Sequence, residues 1–305
     1  MTAKPKLHGW IPLDKPEGLT STQAMNRAKR ALKLRKVGHG GTLDPMASGL
    51  LPLAVGEATK TVGHIMDGVK TYRFTVRFGQ ARDTDDAEGE VTEESADRPE
   101  TDAIREALPA FEGEIMQVPP TFSAVKVDGR RAYDIAREGG DPRLEARPVY
   151  LESVELLTRA DADHVTFACV CGKGFYVRAL ARDLGRALGV PAHLSGLRRT
   201  QVGVFSGDQM VPLAALEDLG DPAEAASHLM PVATALADIP ALAVTPGEAK
   251  SLRNGQGVSV LKRTNIDTLR ALDNGDTVLA TSEDRPVAIT QFEAGSIRPV
   301  RVLNL

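Results

Sequence analysis

GHGGTLDPMASGLLPLAVGEATK, residues 38–60, is the stretch on which the reading of the whole chain turns. It mounts a single carboxylate, Asp44, in a run of glycines and small residues. Gly38, Gly40 and Gly41 permit positive φ and the close approach of a bulky partner. Pro45 steers Asp44 out of the helical region, so the backbone is extended or turning there. Gly49 opens an apolar run, Leu50, Leu51, Leu53, Ala54 and Val55, that reads as buried. One acid is therefore expected on a stiff loop anchored by core, a setting in which catalytic groups are common. On local chemistry alone, an aspartate forming a simple turn before proline is the commoner reading of such a pattern.

Working outward, residues 9–13 read as a short strand entering the DKPEG turn. Thr20 and Gln23 fit a capping box for a helix running to about Leu34. Ala24, Ala28, Ala31 and Leu32 form its inner stripe, and Arg27, Lys29, Arg30, Lys33, Arg35 and Lys36 crowd the rest. Downstream, Tyr72, Phe74, Val76 and Phe78 alternate with Arg73, Thr75 and Arg77, which predicts a half-exposed strand over 70–78. A partner strand is expected near Glu90–Glu94. Helical spacing marks Ile104, Leu108 and Phe111. Pro119 and Pro120 precede an expected strand at Phe122–Val127, the Asp128–Gly129 turn and a helix over 130–138. Strands are expected at 144–158 and 163–171, a helix from Tyr176 to Leu188, and one or two strands over 193–205. Short helices and linker follow over 207–240, around Pro222, Pro231 and Pro240. Beyond them come a helix at Gly247–Arg253 and strands at Gly257–Leu261, Thr277–Ala280, Pro286–Gln291 and Ile297–Leu303. Many strands with scattered helices and no βαβ rhythm predict an α+β fold around a mixed, mainly antiparallel sheet, with a small β-rich C-terminal unit.

A chain of 305 residues suggests two domains. It contains neither an apolar span of membrane length nor a signal-peptide pattern, which makes the cytoplasm the expected compartment. Cys169 and Cys171 share one face of a strand, badly placed for a disulfide or a zinc site, and read as core. The net charge of −4 is unevenly spread. Residues 83–102 are strongly acidic, whereas Arg27–Lys36, Lys126–Arg137 and Lys173–Arg199 are basic. Such a distribution lets one face bind RNA despite the negative total, provided the acids point elsewhere or lie at its rim. The DTDDAEG string lacks the spacing of a calcium loop, so no metal is expected there.

Five segments carry a resemblance. LDKPEGLTS (13–21), the 38–60 stretch, KTYRFTVRFGQARDTDDAEGE (70–90), QVPPTFSAVKVDGRRAYDIAREG (117–139) and CGKGFYVRALARDLG (171–185) occur in order. Together they resemble the bacterial tRNA pseudouridine-55 synthases over residues 9–210, GTLDP combined with GFYVR being the most specific signature. The resemblance implies isomerisation of a uridine in the TΨC loop of tRNA, with one aspartate and no cofactor. It implies a catalytic domain over 1–238 and an RNA-binding domain of the PUA kind over 239–305. It also implies a monomer with tRNA as partner, no obligatory protein partner and no membrane. By motif, Asp44 is the expected nucleophile. Tyr72 is expected to stack on the flipped base and Arg178 to pair with Asp44. Tyr176 lines the pocket, Leu197 contacts the uracil, His39 holds the rearranged RNA loop, and Lys15 supports the Asp44 loop.

These residue types suit the chemistry. The N1–C1′ bond must break, the uracil must turn, and C5 must join C1′. The base must first leave its stack, at a cost of a few kcal/mol. A carboxylate can trap or stabilise the sugar, an aromatic face can hold the loose base, and a cation can keep the carboxylate ionised. Two alternatives stay open on residues alone. One is an RNA-binding protein that needs no Asp44. The other is a glycosidic hydrolase, which normally uses two carboxylates, the second supplied by the 83–88 loop.

Overall fold

The alternation from Lys70 to Phe78 forms a strand with those bounds. Phe74, Val76 and Phe78 are buried, while Arg73 faces solvent. In the computed structural model, which describes residues 7–219, 224–260 and 272–305, this strand lies in the interior of a sheet. Ala192–Val202 pairs along one side and His164–Cys171 along the other, both antiparallel. Across the sheet the order is Val211–Pro212, Gly9–Lys15, Ser48–Val55, Ala192–Val202, Lys70–Phe78, His164–Cys171, Arg147–Arg159, Gly113–Gln117. Val37–His39 and Phe205–Ser206 branch from it, making ten strands among the described residues. Val211–Pro212 runs parallel to Gly9–Lys15, and Ala192–Val202 runs parallel to Ser48–Val55; the other pairings are antiparallel. The expected α+β architecture with a mixed, mainly antiparallel sheet is the one observed.

Helices cover this sheet by burying the stripes their spacing predicts. The first, Ser21–Ala31, starts at Thr20 with both capping-box bonds in place. Ala24, Ala28 and Leu32 pack with Ile11, Leu13, Leu51 and Leu53. The helix Val177–Ala187 buries Val177, Leu180, Ala181 and Leu184 among Phe74, Phe167 and Leu197. Cys169 and Cys171 are buried free thiols in that same core.

Several boundaries differ from expectation. The strand expected at Phe122–Val127 is reduced to Lys126–Val127, and a loop occupies the preceding residues. Gly113–Gln117 is an unpredicted strand at the sheet edge, where Met116 points out, 65% exposed, and Gln117 points in, so residue type does not follow the alternation of its faces. Residues 193–205 begin as one long strand, Ala192–Val202. Ala241–Ala243 is a further unpredicted strand. Pro222 of the expected linker and Leu261, the expected end of a strand, lie outside the described residues.

Among the described residues, the C-terminal part forms a second sheet of five strands in the order Ala241–Ala243, Thr277–Ser282, Arg285–Glu293, Ser296–Val302, Val258–Ser259. Leu242, Leu252, Val278, Val287 and Ile297 give it a core of its own. Leu279, Ile289 and Leu303 instead join Trp10, Ile65, Val232 and Leu236 in a cluster that spans both sheets. Lys60 Nζ donates to the Val302 carbonyl at 2.7 Å, and the Asn304 amide donates to Glu57 Oε2 at 2.8 Å. No helix among the described residues is long and apolar enough to cross a membrane.

Candidate active site

The Asp44 loop is pinned from three sides. Ser21, the first residue of its helix, accepts the Leu43 amide at 2.7 Å and donates back to the Leu43 carbonyl at 3.0 Å. Lys15 is fully buried and donates to the carbonyls of Pro16, Leu19 and Pro45 at 2.8, 2.7 and 3.3 Å. Burial lowers its pKa, and the charge of Asp44 opposes that shift. Arg199, only 1% exposed, donates to the carbonyls of Leu50, Gly41 and Thr42 at 2.8, 3.0 and 3.4 Å. Of the three glycines before Asp44, only Gly41 takes positive φ, at +116°. Gly49, at φ +98°, lies flush against Arg199, and any Cβ there would collide with the Arg199 backbone.

So mounted, the Asp44 side chain keeps 34% of its surface open, and its Oδ2 lies 3.0 Å from Arg178 Nε, an ion pair with a side chain 6% exposed. Burial raises the Asp44 pKa; Arg178 and Lys15 oppose the rise, and Asp86 adds to it. Tyr176 is the extended residue capping the helix Val177–Ala187, and Arg178 lies in the first helical turn. Gln117 fixes that junction, accepting the Tyr176 amide at 2.9 Å and donating to the Tyr176 carbonyl at 3.1 Å. Arg178 also meets Asp86 Oδ2 at 3.3 Å and donates to the Thr84 and Phe122 carbonyls at 3.1 and 3.0 Å. Asp86 is 2% exposed and accepts further bonds from Thr84 Oγ1 at 2.6 Å and the Glu88 amide at 3.0 Å.

Tyr72 and Leu197 stand on adjacent strands and pack in the same cluster as Leu43, Met46 and Ala47 of the loop. Burial raises the pKa of both Tyr72 and Tyr176. Asp44, Arg178, Tyr176, Tyr72, Leu197 and Lys15 are thus brought to one place. His39 ends the strand Val37–His39; burial and then Arg199 lower its pKa, and its buried Nδ1 has no hydrogen-bond partner among the described residues.

Two expectations about charge are corrected. The acidic stretch does not all point away, because Asp85 and Asp86 dock beside Arg178 and Arg182. The cluster Lys173–Arg199 is not simply a basic face. Arg178 and Arg199 are buried and committed to the loop, and Lys173 pairs with Asp67 at 2.7 Å. Sequence reasoning missed Asp86, Arg182 and the structural role of Arg199. Arginines at i and i+4 beside the apolar stripe of the helix were the available signal. Among the described residues, no group of three or more His, Cys, Asp or Glu side chains is placed to hold a metal ion.

Residues 29–177 match the family described as TruB family pseudouridylate synthase (N terminal domain). Residues 178–237 match the tRNA pseudouridylate synthase B C-terminal domain. The chain belongs to the TruB family. This synthase is therefore an isomerase acting on RNA. It is 50% identical over 298 residues to the tRNA pseudouridine synthase B of Dinoroseobacter shibae, with 97% of this chain and 95% of that one covered. The enzyme of the same name from Caulobacter vibrioides is 51% identical, with 97% and 96% covered. In three dimensions the synthase is similar to a chain of an H/ACA ribonucleoprotein bound to a substrate RNA containing 2′-deoxyuridine. The TM-score is 0.73 at 25% identity, with 97% of this chain and 85% of that one covered. A chain of an archaeal box H/ACA ribonucleoprotein gives 0.72 at 26%, with 97% and 86% covered. The C-terminal sheet of the synthase is accordingly PUA-like. The boundary between the two family matches falls at Val177 and Arg178, so the ion pair at Asp44 joins the two matched regions.

Proposed function

We propose that the synthase converts uridine 55 in the TΨC loop of tRNA to pseudouridine, with Asp44 as nucleophile. The names of its relatives supply the tRNA. The observation that carries the chemistry is a partly open carboxylate on a rigidly pinned loop, 3.0 Å from a buried guanidinium. Ionised Asp44 engages the nucleoside as the N1–C1′ bond breaks. The released uracil turns, C5 bonds to C1′, the C5 proton leaves, and N1 finishes protonated. Arg178 keeps Asp44 ionised against the burial that favours its neutral form. Tyr72 provides the face for the extruded base, with Leu197 and Tyr176 beside it. His39 meets the rearranged RNA loop from the end of the strand Val37–His39. Lys15 holds the loop through the Pro45 carbonyl.

Exposed basic residues over 27–36 and 126–137 contact the tRNA backbone, and residues 239–305 form an RNA-binding domain that strengthens the grip on whole tRNA. The synthase works as a monomer in the cytoplasm. A hydrolase built on Asp44 and Asp86 is disfavoured, because Arg178, Thr84 and the Glu88 amide already occupy the Asp86 oxygens. Release of tritium from C5-labelled uridine in a tRNA transcript, with carbodiimide mapping of the product, tests the reading. Asp44→Asn removes the anionic oxygen while leaving the RNA-binding surface intact, so turnover should fall to background with tRNA affinity nearly unchanged. Robust turnover by Asp44→Asn would overturn the mechanism, and product at another position would overturn the site.

A further inference from the structure

Arg178 and Arg182 leave one side of the helix Val177–Ala187, a turn apart. Arg178 holds Asp44 together with the carbonyls of Thr84 and Phe122 and the carboxylate of Asp86. Arg182 holds the same two segments at other points. Its Nη1 lies 2.9 Å from Asp85 Oδ2, and its Nη2 donates to the Val118 carbonyl at 2.8 Å. Asp183 balances the remaining charge, 2.8 Å from Arg182 Nε and 3.1 Å from Nη2. Both side chains of the Arg182–Asp85 pair are nearly buried, at 12% and 13% exposure. Asp85 has φ +59°, a left-handed conformation that needs local support. Its carbonyl accepts the Leu194 amide at 3.0 Å, which fixes the turn from the sheet side.

We propose that Arg182 is a positioning residue for pseudouridine formation: by holding Asp85 and Val118 it sets the Thr84–Asp86 turn and the 118–122 loop against Arg178, and through Arg178 it sets Asp44. This rests on Asp44 and Arg178 being the reacting pair. Arg178 draws its anchors from segments that Arg182 also holds, so releasing Arg182 loosens both at once. A misplacement of about 1 Å at the reacting group costs on the order of 10²-fold. Arg178, Asp86 and Lys15 act electrostatically on Asp44, with Glu88 and Tyr176 also near it. Arg178 is the strongest opponent of Asp44 protonation, so a loosened Arg178 lets Asp44 take up a proton at higher pH.

The test compares full-length Arg182→Ala, Arg182→Lys and Asp85→Asn with wild type by tritium release over a range of pH, with melting curves alongside. Arg182→Ala should lose about 10- to 100-fold in kcat with KM changed less than about threefold. Its acid limb should move to higher pH. Arg182→Lys keeps the charge and should recover part of the loss, and Asp85→Asn should move in the same direction by less. A folded Arg182→Ala with wild-type kcat and acid limb, a change in KM alone, or a lower melting temperature with unchanged kcat would each overturn the proposal. If Arg182→Ala fails to fold, Asp85→Asn decides, and an unaltered pH profile and kcat there count against it. Failure of the underlying reading is seen separately, as an Asp44→Asn variant that retains turnover.

Discussion

Asp44 pays for its position in stability. Burial holds its carboxyl above the usual carboxylate range in the folded protein. A group whose pKa rises on folding favours the folded state below the unfolded value, about 3.9 for a free aspartate, and that advantage is lost as pH rises through the folded value. Ionised Asp44 is therefore destabilising at neutral pH, and Asp44→Asn should melt no lower than wild type at pH 7. The gap should close as the pH falls toward about 4. Differential scanning calorimetry at the two pH values checks the sign, and a lower melting temperature at pH 7 would show that the attraction of Arg178 and Lys15 outweighs burial. With Asp44 in its proposed role, turnover needs the ionised form, so its acid limb should lie above that of a free aspartate. Arg178→Ala should collapse turnover far more than tRNA binding, and Arg178→Lys should rescue it only in part, since an ammonium lacks the planar fork that meets Asp44, Asp86 and two carbonyls. Wild-type activity in Arg178→Ala would remove it from the site.

At the scale of elements, the loop around Asp44 is a product of its neighbours. Arg199 bonds three loop and strand carbonyls from a buried position. Arg199→Ala leaves them without a partner, at about 1–3 kcal/mol for each that stays dry. Gly49→Ala should also be severely destabilising, because it meets both positive φ and the Arg199 backbone. Thermal melts of both variants, with turnover at a permissive temperature, measure the effect, and melting temperatures near wild type would mean the loop is held otherwise. The same elements show what a sequence conveys. The strand Lys70–Phe78 was readable to the residue because both alternating faces are distinct; the capping box at Thr20 fixed where the first helix starts, but the helix ends at Ala31, short of the expected Leu34. The edge strand Gly113–Gln117 was not, since its inward face ends on a polar Gln117 and its outward face carries the apolar Met116. Asp44 itself was undecided by local pattern and stood out only through the family resemblance. The placement of Asp86 depends on Arg178, a partner far along the chain, and an acidic run carries no sign of which member will be covered.

At the scale of the whole molecule, the basic segments that remain exposed, 27–36 and 126–137, should give tRNA binding a steep salt dependence. The log–log slope should be about −0.7 to −0.9 per phosphate neutralised, and a flat titration would dispense with this face. Truncation after Asp238 should leave a catalytic unit that modifies a TΨC stem-loop but binds whole tRNA more weakly. The truncated protein should also melt several degrees lower, because Leu279, Ile289 and Leu303 no longer cover Trp10, Ile65 and Leu236. A soluble, folded truncation that is inert on the stem-loop would refute the division at 238.

The order of strands in the sheet sets an order in time. Ser48–Val55 and Lys70–Phe78 are close in sequence, yet Ala192–Val202 lies between them. Neither strand can complete its pairing, and Arg199 cannot reach Gly41 and Thr42, until a segment made much later arrives. Pairings so distant along the chain are slow to close. A nascent chain halted before Ala192 would carry the GTLDP signature without the clamp that holds it. The rigid mounting of Asp44 is thus among the last properties the chain acquires as it folds, and partly made copies meet tRNA with that loop unclamped.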